Sequence, residues 1–379
     1  MPGPSTNAVH AGEVPDPRTG AVNVPVHMSS TFWYPELPDG GKSQYIYSRY
    51  TNPSVDAVEA KLAALEGAEG SLLFSSGMGA IMTACTGLLQ AGDTIAVQQG
   101  IYGGTTAFLR EELDRFGIRM HMLPEAATPK VPRGTKLVWM ESITNPLLRV
   151  AHVPEWAAAA HEAGARLCVD ATFASPILQR PLELGADLVM QSATKYLGGH
   201  SDLIAGALSW RKKAGVRDAL WRVRRNWGPS LDPHAAYLLG RGMKTLALRM
   251  RRHCDNAQAL AEAAGEMPGV RAVHYPGLSD HPDRATTKRV LPDGCGGVVT
   301  LDLGTLKAAQ RFRRKVKVIA PAASLGGVES LVSLPIETSH AYQTAQEREA
   351  LGIGDGLVRI SVGIEDIDDL IADVARATK

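Results

Sequence analysis

"DLVMQSATKYLGGHSDLIAGALS", residues 187–209, sets a single lysine between two short apolar runs. DLVM (187–190) and IAGALS (204–209) have the length of buried strands and are too short for helices. Between them, Lys195 has Ser192 and Thr194 before it and a Gly198-Gly199-His200 turn after it, not the charged company of an ordinary surface lysine. Reading outward, TIAVQ (94–98), LVWME (137–141) and RLCVD (166–170) are further buried strands. They alternate with the helical stretches GTTAFLREELDRFG (104–117) and VPEWAAAAHEAGA (153–165). Alternating strands and helices predict an α/β fold whose mostly parallel sheet is covered on both faces. Ligands of such sheets bind outside the carboxyl ends of the strands.

The flanks differ. Residues 1–45 are rich in Pro, Gly, Ser and Thr and read as an extended arm that lies on a partner subunit rather than on its own core. Residues 46–232 form the large α/β domain, opened by the helix SVDAVEAKLAALEGAEG (54–70). Residues 233–379 read as a smaller α+β domain. It begins with a long helical region (233–265) interrupted near Gly240 and Gly242. VRAVHYPG, GGVVTLDLG and KVKVIAPAASLGG follow as strands, and DIDDLIADVARAT closes it as a helix. The formal net charge of +1 argues against nucleic acid or an acidic membrane surface as partner. The arginine- and tryptophan-bearing RKKAGVRDALWRVRRNWG (211–228) therefore reads as an amphipathic helix with a solvated basic face. No apolar run approaches bilayer length, the N-terminus lacks a secretory pattern, and four scattered cysteines suit a reducing compartment, so a cytoplasmic protein is expected. The histidines show no metal-ligand spacing, so no metal site is expected.

The strand-end rule gathers Asp170 at the end of RLCVD, Asn145 four residues beyond Glu141 of LVWME, and Lys195 beyond DLVM around one crevice. SSGMGA (75–80) opens a helix whose unpaired N–H groups and dipole suit an anion such as phosphate. Its spacing fits neither a P-loop nor the dinucleotide fingerprint, which disfavours an NAD enzyme. A lysine amine, a carboxylate, hydroxyls and an anion-binding helix start together suit pyridoxal phosphate. The lysine condenses with its aldehyde and the carboxylate keeps its ring nitrogen protonated.

HAGEVPDPRTGAVNVP, YSRYTNPS, SSGMGA, IYGGT, ESITNP, VDATFASP, QRPLELGADLVMQSATKYLGGHSD, SLGGVESL and VRISVGIED occur in this order along nearly the whole chain. In them the sequence resembles the Cys/Met-metabolism (transsulfuration) family of pyridoxal phosphate enzymes, which holds the cystathionine γ-lyases, γ-synthases and β-lyases and the methionine γ-lyases. The resemblance implies the type I, aspartate-aminotransferase-like fold. It makes Lys195 the cofactor-binding lysine and proton carrier, Asp170 the partner of the ring nitrogen, and Tyr102 the residue that stacks on the ring and assists proton transfer. Gly77 and Met78 offer N–H groups to the phosphate, and Ser192 and Thr194 add hydroxyls. Tyr47 and Arg49 reach the phosphate of a neighbouring subunit, which implies a dimer-built homo-oligomer, usually a tetramer. Arg359 grips the substrate α-carboxylate, with Ser324 and Asn145 helping to hold it and the ring.

The expected activity is α,γ-elimination of cystathionine or a related sulfur amino acid, with γ-replacement by a synthase next, then β-lyase or methionine γ-lyase chemistry. A non-catalytic cofactor binder is disfavoured because Lys195, Asp170, Tyr102 and Arg359 are all present. The sequence departs from the family pattern at Ile143 and Ala171, usually Pro and Asn, without loss of a reacting group. Ala323 stands where γ-synthases and γ-lyases often carry Glu, and Gly104 where methionine γ-lyases carry Cys.

Overall fold

The computed structural model describes residues 2–37, 39–124, 129–341 and 343–379. Among them, β1 (Gly70–Phe74), β2 (Thr94–Gln98), β3 (Arg119–Leu123), β4 (Thr135–Glu141), β5 (Arg166–Asp170), β6 (Leu188–Gln191) and β7 (Gly206–Trp210) form one sheet. Its order is β1-β7-β6-β5-β4-β2-β3. Only β7 runs against the others; it pairs antiparallel with both β1 and β6. The two-residue period of the strands explains the apolar runs. Leu137 and Trp139 of β4 join Ile81 and Cys85 on one face, and Val138 and Met140 join Trp156 and Ala160 on the other. Both faces are buried, so the strands read as continuous apolar segments rather than as alternating ones.

A second sheet contains β8 (Ala272–His274), β9 (Val298–Asp302), β10 (Ala320–Pro321), β11 (Leu331–Ser333) and β12 (Leu357–Ser361), in the order β10-β11-β12-β9-β8. It packs Val299, Val358 and Ile360 against Leu260, Phe312 and Val374 of the surrounding helices. No helix among the described residues is long and apolar enough to cross a membrane.

Several expectations are corrected. The N-terminal segment is not wholly extended: α1 (Pro4–His10) is helical and buries Ala8 on the protein's own core. The reason lies in α2 (Pro53–Glu66), whose buried Lys61 donates from Nζ to the carbonyls of Ala8 and Val9 at 2.9 and 3.0 Å and so caps α1. After β1 comes α3 (Gly77–Leu88). The helix expected over 104–117 is broken into α4 (Gly103–Ala107), a π-helical turn at Phe108–Glu112 and a 3₁₀ turn at Asp114–Phe116; α5 (Val153–Glu162) forms as expected.

The helical region is interrupted near Gly240 and Gly242 as expected, one helix running Pro233–Met243 and the next Leu246–Gly265, with both glycines inside the first. They are packing glycines: a Cβ on Gly242 would lie 2.2 Å from the Gly198 carbonyl oxygen, and one on Gly240 would lie 3.0 Å from Val58. Of the strand expected over 315–327 only Ala320–Pro321 forms. The backbone N–H groups of Lys317, Val318 and Ile319 converge instead on the Asp373 carboxylate.

Candidate active site

Because β2, β4, β5 and β6 are parallel, Gln98, Glu141, Asp170 and Gln191 end at the same edge of the sheet, and the loop after β6 carries Ser192, Thr194 and Lys195 past that edge. Asp170 is buried, and its Oδ1 accepts from the Thr172 N–H at 3.0 Å and the Thr172 hydroxyl at 2.6 Å. The same hydroxyl oxygen accepts the Ser192 N–H at 2.8 Å, so one threonine ties the end of β5 to the loop of Lys195. Thr172 was not singled out in the sequence; its only signal there is its position two residues after the aspartate, where a side chain can close an Asx turn. None of the ion pairs among the described residues includes Asp170. Burial pushes its carboxyl above the usual range.

Lys195 donates from Nζ to Ser324 Oγ at 2.8 Å. Burial, and then the charge of Arg359, bring its amine down to about 8. Ser324 has φ 110°, outside the range comfortable for a residue with a side chain. That conformation lets its hydroxyl meet Lys195 while its carbonyl accepts from Arg359 Nη2 at 3.0 Å. Arg359, central in β12, is only 6% exposed; its Nη1 donates to Asn145 Oδ1 at 3.2 Å and its Nε is buried without a partner among the described residues. No ion pair among the described residues includes it. A buried charge stripped of its partner costs about 3–5 kcal/mol, so this guanidinium is arranged to receive an anion.

Tyr102 lies within electrostatic reach of Arg359. Its N–H donates to Glu141 Oε1 at 2.6 Å, and its ring lies over Gly104, where a Cβ would come within 2.5 Å of ring carbon Cε1. Gly104 is the residue that leaves room for this ring position. On the other side of the crevice Ser76 caps α3 by accepting the Gly79 N–H at 3.0 Å. The N–H groups of Gly77 and Met78 then have no acceptor among the described residues. Gly77 lies against Ser192, whose Oγ would be 3.1 Å from a Cβ there. The Thr194 hydroxyl exchanges hydrogen bonds with the main chain of Ala205, so its hydrogen is already committed.

Two expected residues lie apart. Tyr47 and Arg49 are exposed and contact none of these groups. Arg49 stacks on Tyr50 and Tyr47, with its guanidinium 5.0 and 5.5 Å from the ring centres, and donates to the carbonyl of Arg225.

This donor set fits pyridoxal phosphate. It has an amine whose proton affinity is brought down to about 8, a buried carboxylate in no ion pair among the described residues, free N–H groups at a helix start, an aromatic face, and a buried guanidinium awaiting a carboxylate.

The sequence profile described as Cys/Met metabolism PLP-dependent enzyme matches residues 5–379. The L-methionine γ-lyase of Pseudomonas putida is 40% identical, over 100% of this chain and 98% of its own length. The cystathionine γ-synthase of Mycobacterium bovis is 42% identical, over 99% and 96%. Among solved structures, a cystathionine γ-lyase from Micromonospora echinospora superposes with a TM-score of 0.94 at 37% identity, covering 100% of this chain and 99% of that one. Three activities thus stand at nearly the same distance.

Proposed function

The chain belongs to the Cys/Met metabolism PLP-dependent enzymes, and from that membership we propose that it removes the γ-substituent of cystathionine, or of a related sulfur amino acid, by α,γ-elimination. The observation that carries the reading is the Ser324 bridge, whose hydroxyl accepts from Lys195 and whose carbonyl accepts from Arg359. A substrate whose α-carboxylate is clamped by Arg359 then has its α- and β-carbons beside the Lys195 amine. Pyridoxal phosphate, bound there, withdraws electrons from the substrate α-carbon.

The chain's own residues do the rest. Asp170 pairs with the ring nitrogen, held by Thr172. Gly77 and Met78 N–H groups, with the Ser192 hydroxyl, would bind the phosphate; Thr194 would join them only by releasing the Ala205 carbonyl. Asn145 and Ser324 keep Arg359 in line for a two-point grip on the carboxylate. Lys195 Nζ takes the α-proton and then moves a β-proton, and Tyr102 shares in proton transfer as the γ-sulfur leaves. Water completes the balance: cystathionine and water give 2-oxobutyrate, ammonia and cysteine. Ala323 supplies no carboxylate to the far end of the substrate, which favours relaxed choice of the departing thiol. The active unit is a cytoplasmic dimer-built oligomer in which Tyr47 and Arg49 serve the neighbouring site.

γ-Replacement is the second reading, because a γ-synthase is as similar to the chain, at 42% identity, as a cystathionine γ-lyase. The test is to incubate the cofactor-loaded protein with L-cystathionine and identify the products. 2-Oxobutyrate with cysteine is expected. Pyruvate with homocysteine would move the protein to β-elimination. No oxo acid would favour replacement, checked by cystathionine formation from an O-acyl-homoserine and cysteine.

A further inference from the structure

Glu141 is a buried carboxyl that the reaction outlined above does not use. It ends β4 directly opposite Asp170 of β5 in the strand register and is 4% exposed. Its N–H donates to Gln98 Oε1 at the end of β2, at 2.8 Å, which fixes its backbone. Its Oε1 accepts the Tyr102 N–H, while Oε2 is buried with no hydrogen-bond partner, and no ion pair among the described residues includes it. A buried carboxyl with one unsatisfied oxygen costs about 1–3 kcal/mol and is not explained by packing, since an apolar residue would fill the same space at no such cost. Burial and then the neighbouring Asp170 push it well above the usual carboxyl range.

The turn it holds is anchored on its other side by the Tyr102 carbonyl, which accepts the Thr106 N–H at 3.1 Å, while the Tyr102 N–H has Glu141 as its acceptor. Tyr102 precedes α4 and makes no side-chain cap. Gly103 passes tightly against Ser339, with a Cβ position 2.2 Å from that carbonyl oxygen, and Gly104 lies under the Tyr102 ring. The direction in which this ring leaves the backbone is therefore set where the Tyr102 N–H meets Glu141.

We propose that Glu141 is a positioning residue for the cofactor ring: its carboxyl fixes the Tyr102 turn to the strand end that faces Asp170, so that the group stacking on the ring and the group pairing with its nitrogen are set in one geometry. The inference rests on the roles given above to Tyr102 and Asp170. Its test compares Glu141→Gln, which keeps the acceptor oxygen, with Glu141→Ala and Glu141→Asp, which remove or withdraw it. The readout is visible circular dichroism per bound cofactor, beside kcat and KM.

The Gln variant is expected to retain the wild-type band and rate. Ala and Asp are expected to lose most of the band or reverse its sign, with kcat about 10- to 100-fold lower and a smaller change in KM. If Ala fails to fold, the Asp variant decides. Altered melting temperature with an unchanged band in Asp would overturn the inference, and so would a Gln variant as impaired as Asp. A wild-type protein with no visible band at all would instead overturn the cofactor roles on which it rests.

Discussion

Lys195 and Arg359 share Ser324 without touching each other, and this sets the chemistry of the amine. Two effects hold its proton affinity down: loss of water, and a guanidinium that cannot give up its own charge. The free base alone can attack an aldehyde. With the amine at about 8, the free fraction grows tenfold per pH unit below that value and saturates above it. The rate at which apoprotein captures pyridoxal phosphate should follow this curve, climbing from pH 6 and levelling just above 8. Stopped-flow absorbance across pH measures it. A rate still climbing beyond pH 9, toward the ordinary lysine value of about 10.4, would show that neither burial nor Arg359 acts on the amine.

Between elements, Thr172 joins the ends of β5 and β6 by accepting from Ser192 and donating to Asp170. Thr172→Val keeps the shape and removes the hydroxyl, leaving an N–H and a carboxylate oxygen each short of a partner. Such losses cost about 1–3 kcal/mol, and about tenfold in cofactor affinity where they also release Asp170. Thermal unfolding of the apoprotein and cofactor titration measure the two effects; wild-type values in both would remove Thr172 from the site. The sequence shows the strands that bear Asp170 and Glu141 because a sheet covered on both faces needs uninterrupted apolar runs. It hides β12, LVRIS, because Arg359 interrupts the run that would mark it. It also hides β3, RMHML, an edge strand with exposed positions. VKVIA alternates like a strand, yet its N–H groups turn to Asp373, a residue 54–56 positions away that no local pattern reveals. The placement of Lys195, Asp170 and the SSGMGA helix start was legible because each lies at or just beyond a strand end or at a helix start. Thr172 and Glu141 were not, since their work is to hold other residues.

On the scale of the whole molecule, the site described by one chain is incomplete in a specific way. The α3 start has free N–H groups and takes part in no ion pair among the described residues, while Arg49 stands exposed against the rings of Tyr47 and Tyr50. The same N-terminal region exposes Val22, Met28, Trp33, Tyr34 and Ile46, apolar surface that a lone subunit would not leave in water. Both facts are explained if the region packs on a second copy and delivers Arg49 to its phosphate. In a two-fold dimer each site would then take Lys195 from one subunit and Arg49 from the other. Lys195→Ala and Arg49→Ala homo-oligomers should each be at background in the elimination assay. Co-expressed, they form hybrids in which one of the two sites combines Lys195 of the second variant with Arg49 of the first. Random pairing should restore about a quarter of the wild-type rate. Activity that stays at background in a mixture shown by mass spectrometry to contain hybrids would mean that Arg49 serves its own chain's site, and that the exposed arm covers something other than a second active site.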